Sequence, residues 1–174
     1  GSGTITNNGT IKVQDDFTNS ASLVSGAASE IIFTGDMVSN FTTGGAELAI
    51  VRNEKTAGDV VLIDNMTVAE AVDFIGTSNI VLGTNSVTLS DGVTTNGDAA
   101  TGWFVTDGTG VLERKTDAAG TADFHVGDAA NFSPLSVIHS GTYTPGVSQI
   151  SAKATNVAHP NLLADADSYI SRYW

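Results

Sequence analysis

The sequence predicts an all-β chain: a short parallel β-helix, or β-solenoid, over residues 1–92, followed by an antiparallel β-sandwich-like unit over residues 93–174 that caps it. Apolar strings rich in β-branched residues recur between Gly, Asn and Asp punctuation, which is the pattern of strands and turns. Before residue 92 these strings are too short and too closely spaced for long hairpins and suit the coils of a solenoid. Beyond Gly92 the composition shifts and the spacing lengthens.

Taken in order, Thr4-Ile5-Thr6 and Thr10-Ile11-Lys12-Val13 open the series, and Glu30-Ile31-Ile32-Phe33 and Val60-Val61-Leu62-Ile63 continue it. Met66 to Phe74 sets Val68, Ala71, Val72 and Ile75 at helical spacing, so a helix is the alternative there. Strand strings flank it on both sides, and short apolar runs do not separate the two readings. Ile80-Val81-Leu82 and Val87-Thr88-Leu89 complete the first unit. Gly9, Gly35, Gly58, Gly76, Gly83 and Gly92 stand at or near string ends, where tight corners call for positive φ. Asn7, Asn8, Asn19, Asn53, Asn65, Asn79 and Asn85 suit the same corners. The polar residues inside the strings are mostly Thr and Ser, because stacked coils would set like charges against one another.

A polar link, Val93 to Thr101, leads into Trp103-Phe104-Val105, Gly110-Val111-Leu112, Phe124-His125-Val126 and Leu135-Ser136-Val137-Ile138. These read as antiparallel sandwich strands. Both tryptophans, all three tyrosines and all three histidines fall in this part, which predicts an aromatic core here and an aliphatic one in the first unit.

The 174 residues make one domain or two small ones, and a chain of this length buries roughly two-thirds of its unfolded surface. Seven Lys and Arg face 19 Asp and Glu, a net charge of −12. Lys12, Arg52, Lys55, Arg114, Lys115, Lys153 and Arg172 form no basic stripe, so neither nucleic acid nor an anionic membrane surface is an expected partner. No apolar run approaches the roughly 20 residues of a membrane span, so no membrane insertion is expected. The absence of cysteine removes disulfides, thiol catalysis and thiolate metal sites. Acidity, low Lys and abundant Gly, Ser, Thr and Asn lean towards a secreted surface.

Asn7-Asn8-Gly9-Thr10-Ile11-Lys12-Val13, with Asp16-Phe17-Thr18-Asn19 after it, resembles coils of large secreted and cell-surface β-helix repeat proteins of Bacteroidota. Further strings are similar to that family in the same order: Ile31-Ile32-Phe33-Thr34-Gly35, Asn79 to Leu89, Trp103 to Leu112, Phe124-His125-Val126-Gly127-Asp128 with Phe132-Ser133-Pro134-Leu135, and Arg172-Tyr173-Trp174. The resemblance spans nearly the whole chain. It implies an extracellular or cell-surface β-helix plus sandwich, exported by the type IX system, within long adhesive or matrix proteins. His125 stands where the family usually has Pro, and family members usually run on beyond the Trp into further strands and a sorting domain.

Candidate chemistry is sparse. A β-helix polysaccharide lyase or hydrolase would need paired carboxylates or an Asp cluster beside a cation. Asp15-Asp16, Asp64, Asp73 and Asp91 are the first unit's candidates, with Arg52 or Lys55 as the cation. Neighbouring strand residues point to opposite faces, so Asp15 and Asp16 read as solvated turn carboxylates. His125, His139 and His159 lack zinc spacing, and no Gly-x-Ser-x-Gly elbow occurs, so a catalytic role is not expected. Gly44-Gly45, Gly108, Gly110 and Gly141 read as turn glycines rather than a phosphate cradle. Asp107, Asp117, Asp123 and Asp128 gather around turns of the second unit, and Asp165 and Asp167 offer alternating oxygens to a weak structural Ca²⁺; no other cofactor is expected.

Trp103, Phe104, Tyr143 and Tyr169 form either a sugar platform or buried core. The expectation is a non-catalytic structural or adhesive segment, with a carbohydrate-binding module as the alternative. Partners are neighbouring domains of a longer chain or identical subunits, and surface glycans in the alternative. Uncapped coils expose strand edges, so the ends carrying Ile5 and Ile11, and Tyr173 and Trp174, are the candidate surfaces for head-to-tail assembly into a filament.

Overall fold

The β-branched strings become strands stacked one coil above the next, because each is too short to bury its apolar side alone and gains a partner only from the neighbouring coil. The computed structural model describes residues 3–155. The first coil comprises β1 (Thr4–Asn7), β2 (Thr10–Val13) and β3 (Phe17–Thr18), and the second β4 (Ser22–Ser25), β5 (Glu30–Phe33) and β6 (Ser39–Thr42). In the third and fourth coils two faces merge into one longer strand, giving β7 (Glu47–Asn53) with β8 (Val60–Leu62), then β9 (Met66–Phe74) with β10 (Ile80–Val81). The fifth holds β11 (Val87–Leu89), β12 (Thr94–Thr95) and β13 (Phe104–Val105), and the sixth β14 (Leu112–Lys115), β15 (Gly120–Phe124) and β16 (Val126–Gly127). β17 (Leu135–His139) and β18 (Gln149–Ala152) follow. The described chain is all-β, a parallel solenoid with antiparallel strands at its far end.

Two parallel sheets run the length of the solenoid, β3-β6-β8-β10-β13-β16 on one face and β2-β5-β7-β9-β11-β14 on another, while β1 and β4 form a short third face. The register aligns like with like through the core. Ile31, Val51 and Val72 form one column, and Val60, Ile80, Phe104 and Val126 another, each with relative exposure of 1 % or less. Burying such a side chain contributes roughly 1.5–3 kcal/mol each, so the columns dominate the stability of the coils.

Met66–Phe74 is a strand and not a helix: β7 lies on one side of it and β11 and β12 on the other, and its burial alternates with period two at both ends. The parallel ladder also passes through the expected boundary at residues 92/93. β13 stacks on β10, β14 on β11 and β16 on β13, so the solenoid runs on to Gly127. The link after Gly92 looked like a boundary because it is a polar corner, and corners of a solenoid have linker composition. The aromatic residues are likewise not confined to the second part, for Phe33, Phe41 and Phe74 are fully buried among the early coils.

The last coil is closed by antiparallel elements. β18 pairs with β14, Ser133 N–H donates to the Val126 carbonyl at 2.8 Å, and Phe132 bridges Gly127. β17 pairs antiparallel with β15, which swings out of the coil path.

Candidate functional site

Corner asparagines tie the coils together. The Asn7, Asn19 and Asn53 side-chain oxygens each accept the backbone N–H two residues on, and their amides donate to the Glu30, Thr43 and Ser78 carbonyls of the next coil. Asp64 accepts the Thr43 and Gly44 N–H groups, both at 2.7 Å. Asp16, one of the candidate catalytic carboxylates, accepts the Asn40 N–H at 2.8 Å. The expected glycine corners are split in kind. Gly35, Gly58, Gly83 and Gly92 take positive φ, whereas Gly9 and Gly76 do not; Gly76 instead gives room to the Lys55 carbonyl of the coil beneath.

Of the two cations considered as partners for a carboxylate pair, Arg52 meets one candidate, Asp73, and Lys55 pairs with no carboxylate among the described residues. Arg52 lies between Glu30 and Asp73, at 3.1 and 3.5 Å, an acid-base-acid ladder on the outer face. Lys55 is inaccessible to solvent, and its Nζ donates to the Thr34 carbonyl and Ser39 Oγ. Burial lowers its pKa, against the opposing pull of Asp36, Asp15 and Asp59.

A groove of about 440 Å³ opens where β15 leaves the coil path. In the fifth coil β12 lies over β9; in the sixth no strand among the described residues lies over β12, and a gap opens between β12 and β15 with Arg114 of β14 inside it. The guanidinium bridges the gap: Nη1 donates to the Val93 carbonyl at 2.7 Å, Nη2 to Thr95 Oγ1 at 2.8 Å and Nε to the Asp123 carbonyl at 2.7 Å. It takes up carbonyls that a ladder strand would otherwise have satisfied. Lys115, Asp91, Asp123, His125 and His139 share the lining with small residues, among them Gly92, Ala118, Ala119 and Ala122.

The same hydroxyl also reaches a histidine. Thr95 Oγ1 accepts from Arg114 and lies 2.6 Å from His125 Nδ1, within hydrogen-bond distance. Burial holds the His125 pKa below its ordinary value and the Arg114 charge adds to this, while Asp123 and Asp98 oppose it. The ring stacks on Phe132 with centroids 6.3 Å apart.

Comparison of the chain with family models, with curated proteins and with solved structures found no match. The site therefore stands on its own geometry.

Of the expected site residues, Trp103 is half-buried, tilted 46° against Phe132, with its indole N–H on the Asp128 carbonyl at 3.0 Å. Phe104 is core, and Tyr143 is half-buried with its hydroxyl 2.7 Å from His139 Nδ1. Ile5 is 53 % exposed and Ile11 half-buried at the first coil. Asp165, Asp167, Tyr169, Tyr173 and Trp174 lie outside the described residues, and no group of metal-ligating side chains occurs among those described. Asp128 binds the Ala130 and Asn131 N–H groups of its own turn, and Asp117 accepts from Gly146 N–H. Sequence reasoning missed the groove. Its one linear signal is Arg114-Lys115, an adjacent cation pair in a chain poor in cations.

Proposed function

We propose that the chain is a non-catalytic structural or adhesive segment of an extracellular bacterial surface protein, which extends by stacking end to end on identical subunits or on neighbouring domains. The observation that carries this reading is the long sheet that begins at β2 and finishes at β18, whose two outer edges have no strand partner among the described residues. Unpaired edges template further pairing. Joining β18 of one copy to β2 of the next repeats a heterologous contact that does not close, and so builds a filament. The extracellular setting rests on the acidic, Thr- and Asn-rich composition and on the resemblance to surface β-helix repeats.

The test uses the position of the β2 backbone groups. Glu30 N–H bonds the Gly9 carbonyl and Thr34 N–H the Val13 carbonyl, so by alternation the Lys12 N–H points away from β5. Lys12→Pro therefore removes an outward donor while leaving the internal ladder intact. Light scattering after size exclusion, with electron micrographs of the same sample, should give fibres for the wild type and short species for Lys12→Pro at unchanged circular dichroism. A wild type that stays at 17.8 kDa at high concentration overturns self-assembly and leaves stacking on another domain.

Carbohydrate binding is the second reading, and the groove beside Arg114 is what favours it. Trp103 and Tyr143, half-buried and engaged by polar partners, are poorly placed for a flat platform.

A further inference from the structure

The groove between β12 and β15 contains an imbalance of charge. Arg114 is half-buried, yet all three of its bonds go to neutral oxygens, and no carboxylate lies within 4.0 Å of it among the described residues. Neither does Lys115, next to it in the same lining, have an ion pair there. A partly desolvated cation without a counter-ion is costly, and natural proteins pair such groups. Burial accordingly lowers the Arg114 pKa, and the Asp123 charge partly offsets it. Three of the five guanidinium N–H donors are used, leaving two, the number that the paired oxygens of one carboxylate accept.

We propose that this groove is a binding site for an acidic saccharide, a sugar whose single ring carboxylate sits on the two free donors of Arg114. The rest of the lining supports a sugar around that carboxylate. Thr94 and Thr121 carry hydroxyls in the lining, and Asp91 and Asp123 supply acceptors for sugar hydroxyls. Among the described residues β12 pairs with β9 alone and β15 with β17 alone, so each strand keeps one backbone edge without a strand partner. The volume of about 440 Å³ falls within the roughly 300–1,000 Å³ of small-molecule sites.

Two competing occupants fit less well. A peptide added as a strand would need the Val93 and Asp123 carbonyls, and Arg114 already holds both. Walls of Gly92, Ala118, Ala119 and Ala122 also offer it no side-chain pockets. A polysulfated chain would meet the field of a protein with net charge −12, whereas one carboxylate per ring keeps that repulsion small. The site does not depend on assembly: a monomer would bind, and a fibre could form without binding.

The test is calorimetry of the full chain with a trimer of galacturonic acid, with its methyl ester, in which each carboxylate is neutral, and with an acidic tripeptide. The acid trimer should bind, the ester at least 10-fold more weakly, and the tripeptide not at all. Lys115→Met, on the opposite face of β14 from Arg114, should change binding of the acid trimer by less than about 3-fold. Ala119→Trp, which fills the exposed wall without touching the core, should abolish binding at an unchanged melting temperature. No heat with the acid trimer, equal binding of acid and ester, tight binding of the tripeptide, or full binding by Ala119→Trp would each overturn the proposal. Because fibre formation is read separately by light scattering, loss of one reading leaves the other standing.

Discussion

At the scale of single residues, the corner amides carry more than their position suggests. Asn53 is fully buried, bonded to the Ser78 carbonyl at 2.7 Å and to its own turn, so truncation leaves a buried carbonyl and a buried N–H unsatisfied. Asn53→Ala should lower unfolding stability by about 1–3 kcal/mol in urea titrations, whereas substitution of exposed Asn8 should change it by less than about 0.5 kcal/mol. His125 makes a second prediction. Its folded pKa lies below the unfolded value of 6.5, so the unfolded chain takes up the proton first as pH falls. The stabilisation by the neutral ring is complete above pH 6.5 and is lost as pH drops from there through the folded pKa. Its proton resonances should titrate with a midpoint under 6.5, and His125→Gln should flatten the stability profile in that window. The corner asparagines were legible in the sequence as turn formers. Their reach to the neighbouring coil was not, because a side chain's partner in the next coil depends on register, which no local string contains.

At the scale of elements, what decided each strand was the neighbour above and below. Met66–Phe74 carries helical spacing, yet a helix would leave the edges of β7 and β11 without partners, and the ladder overrides the local pattern. Strands were thus readable from β-branched composition and punctuation, but the end of the solenoid was not. Val93 to Thr101 has the composition of a linker, yet it holds the short strand β12 and a corner of the fifth coil, because stacking fixes where strands go and leaves corner length free. Close approach between coils tests this. A Cβ at Gly110 would run into the Asn85 carbonyl beneath it. Gly110→Ala should therefore push β14 away from β11 and destabilise the chain by about 1–3 kcal/mol, whereas alanine at Gly9, where a Cβ meets open space, should be tolerated. The groove was the least legible feature, since it arises where, among the described residues, no strand covers β12 and Arg114 takes up the Val93 carbonyl instead.

At the scale of the whole molecule, the two ends differ. The last coil is closed by β18 and by the bonds of Phe132 and Ser133, while the first coil ends on β1, β2 and β3 with no closing strand among the described residues. Successive coils are held by backbone ladders whose hydrogen bonds point along the stacking direction. A pull applied from end to end loads them one coil at a time, as in opening a zipper. Neighbouring coils are offset by 18 to 25 residues, so each rupture should release roughly 60–90 Å of extended chain. Single-molecule force spectroscopy should record a sawtooth of that step, starting at the β1 end. A single rupture of the entire length would mean that the coils yield together. A surface thread built this way would absorb a tug by shedding loops in sequence and holding on, rather than by resisting until it breaks.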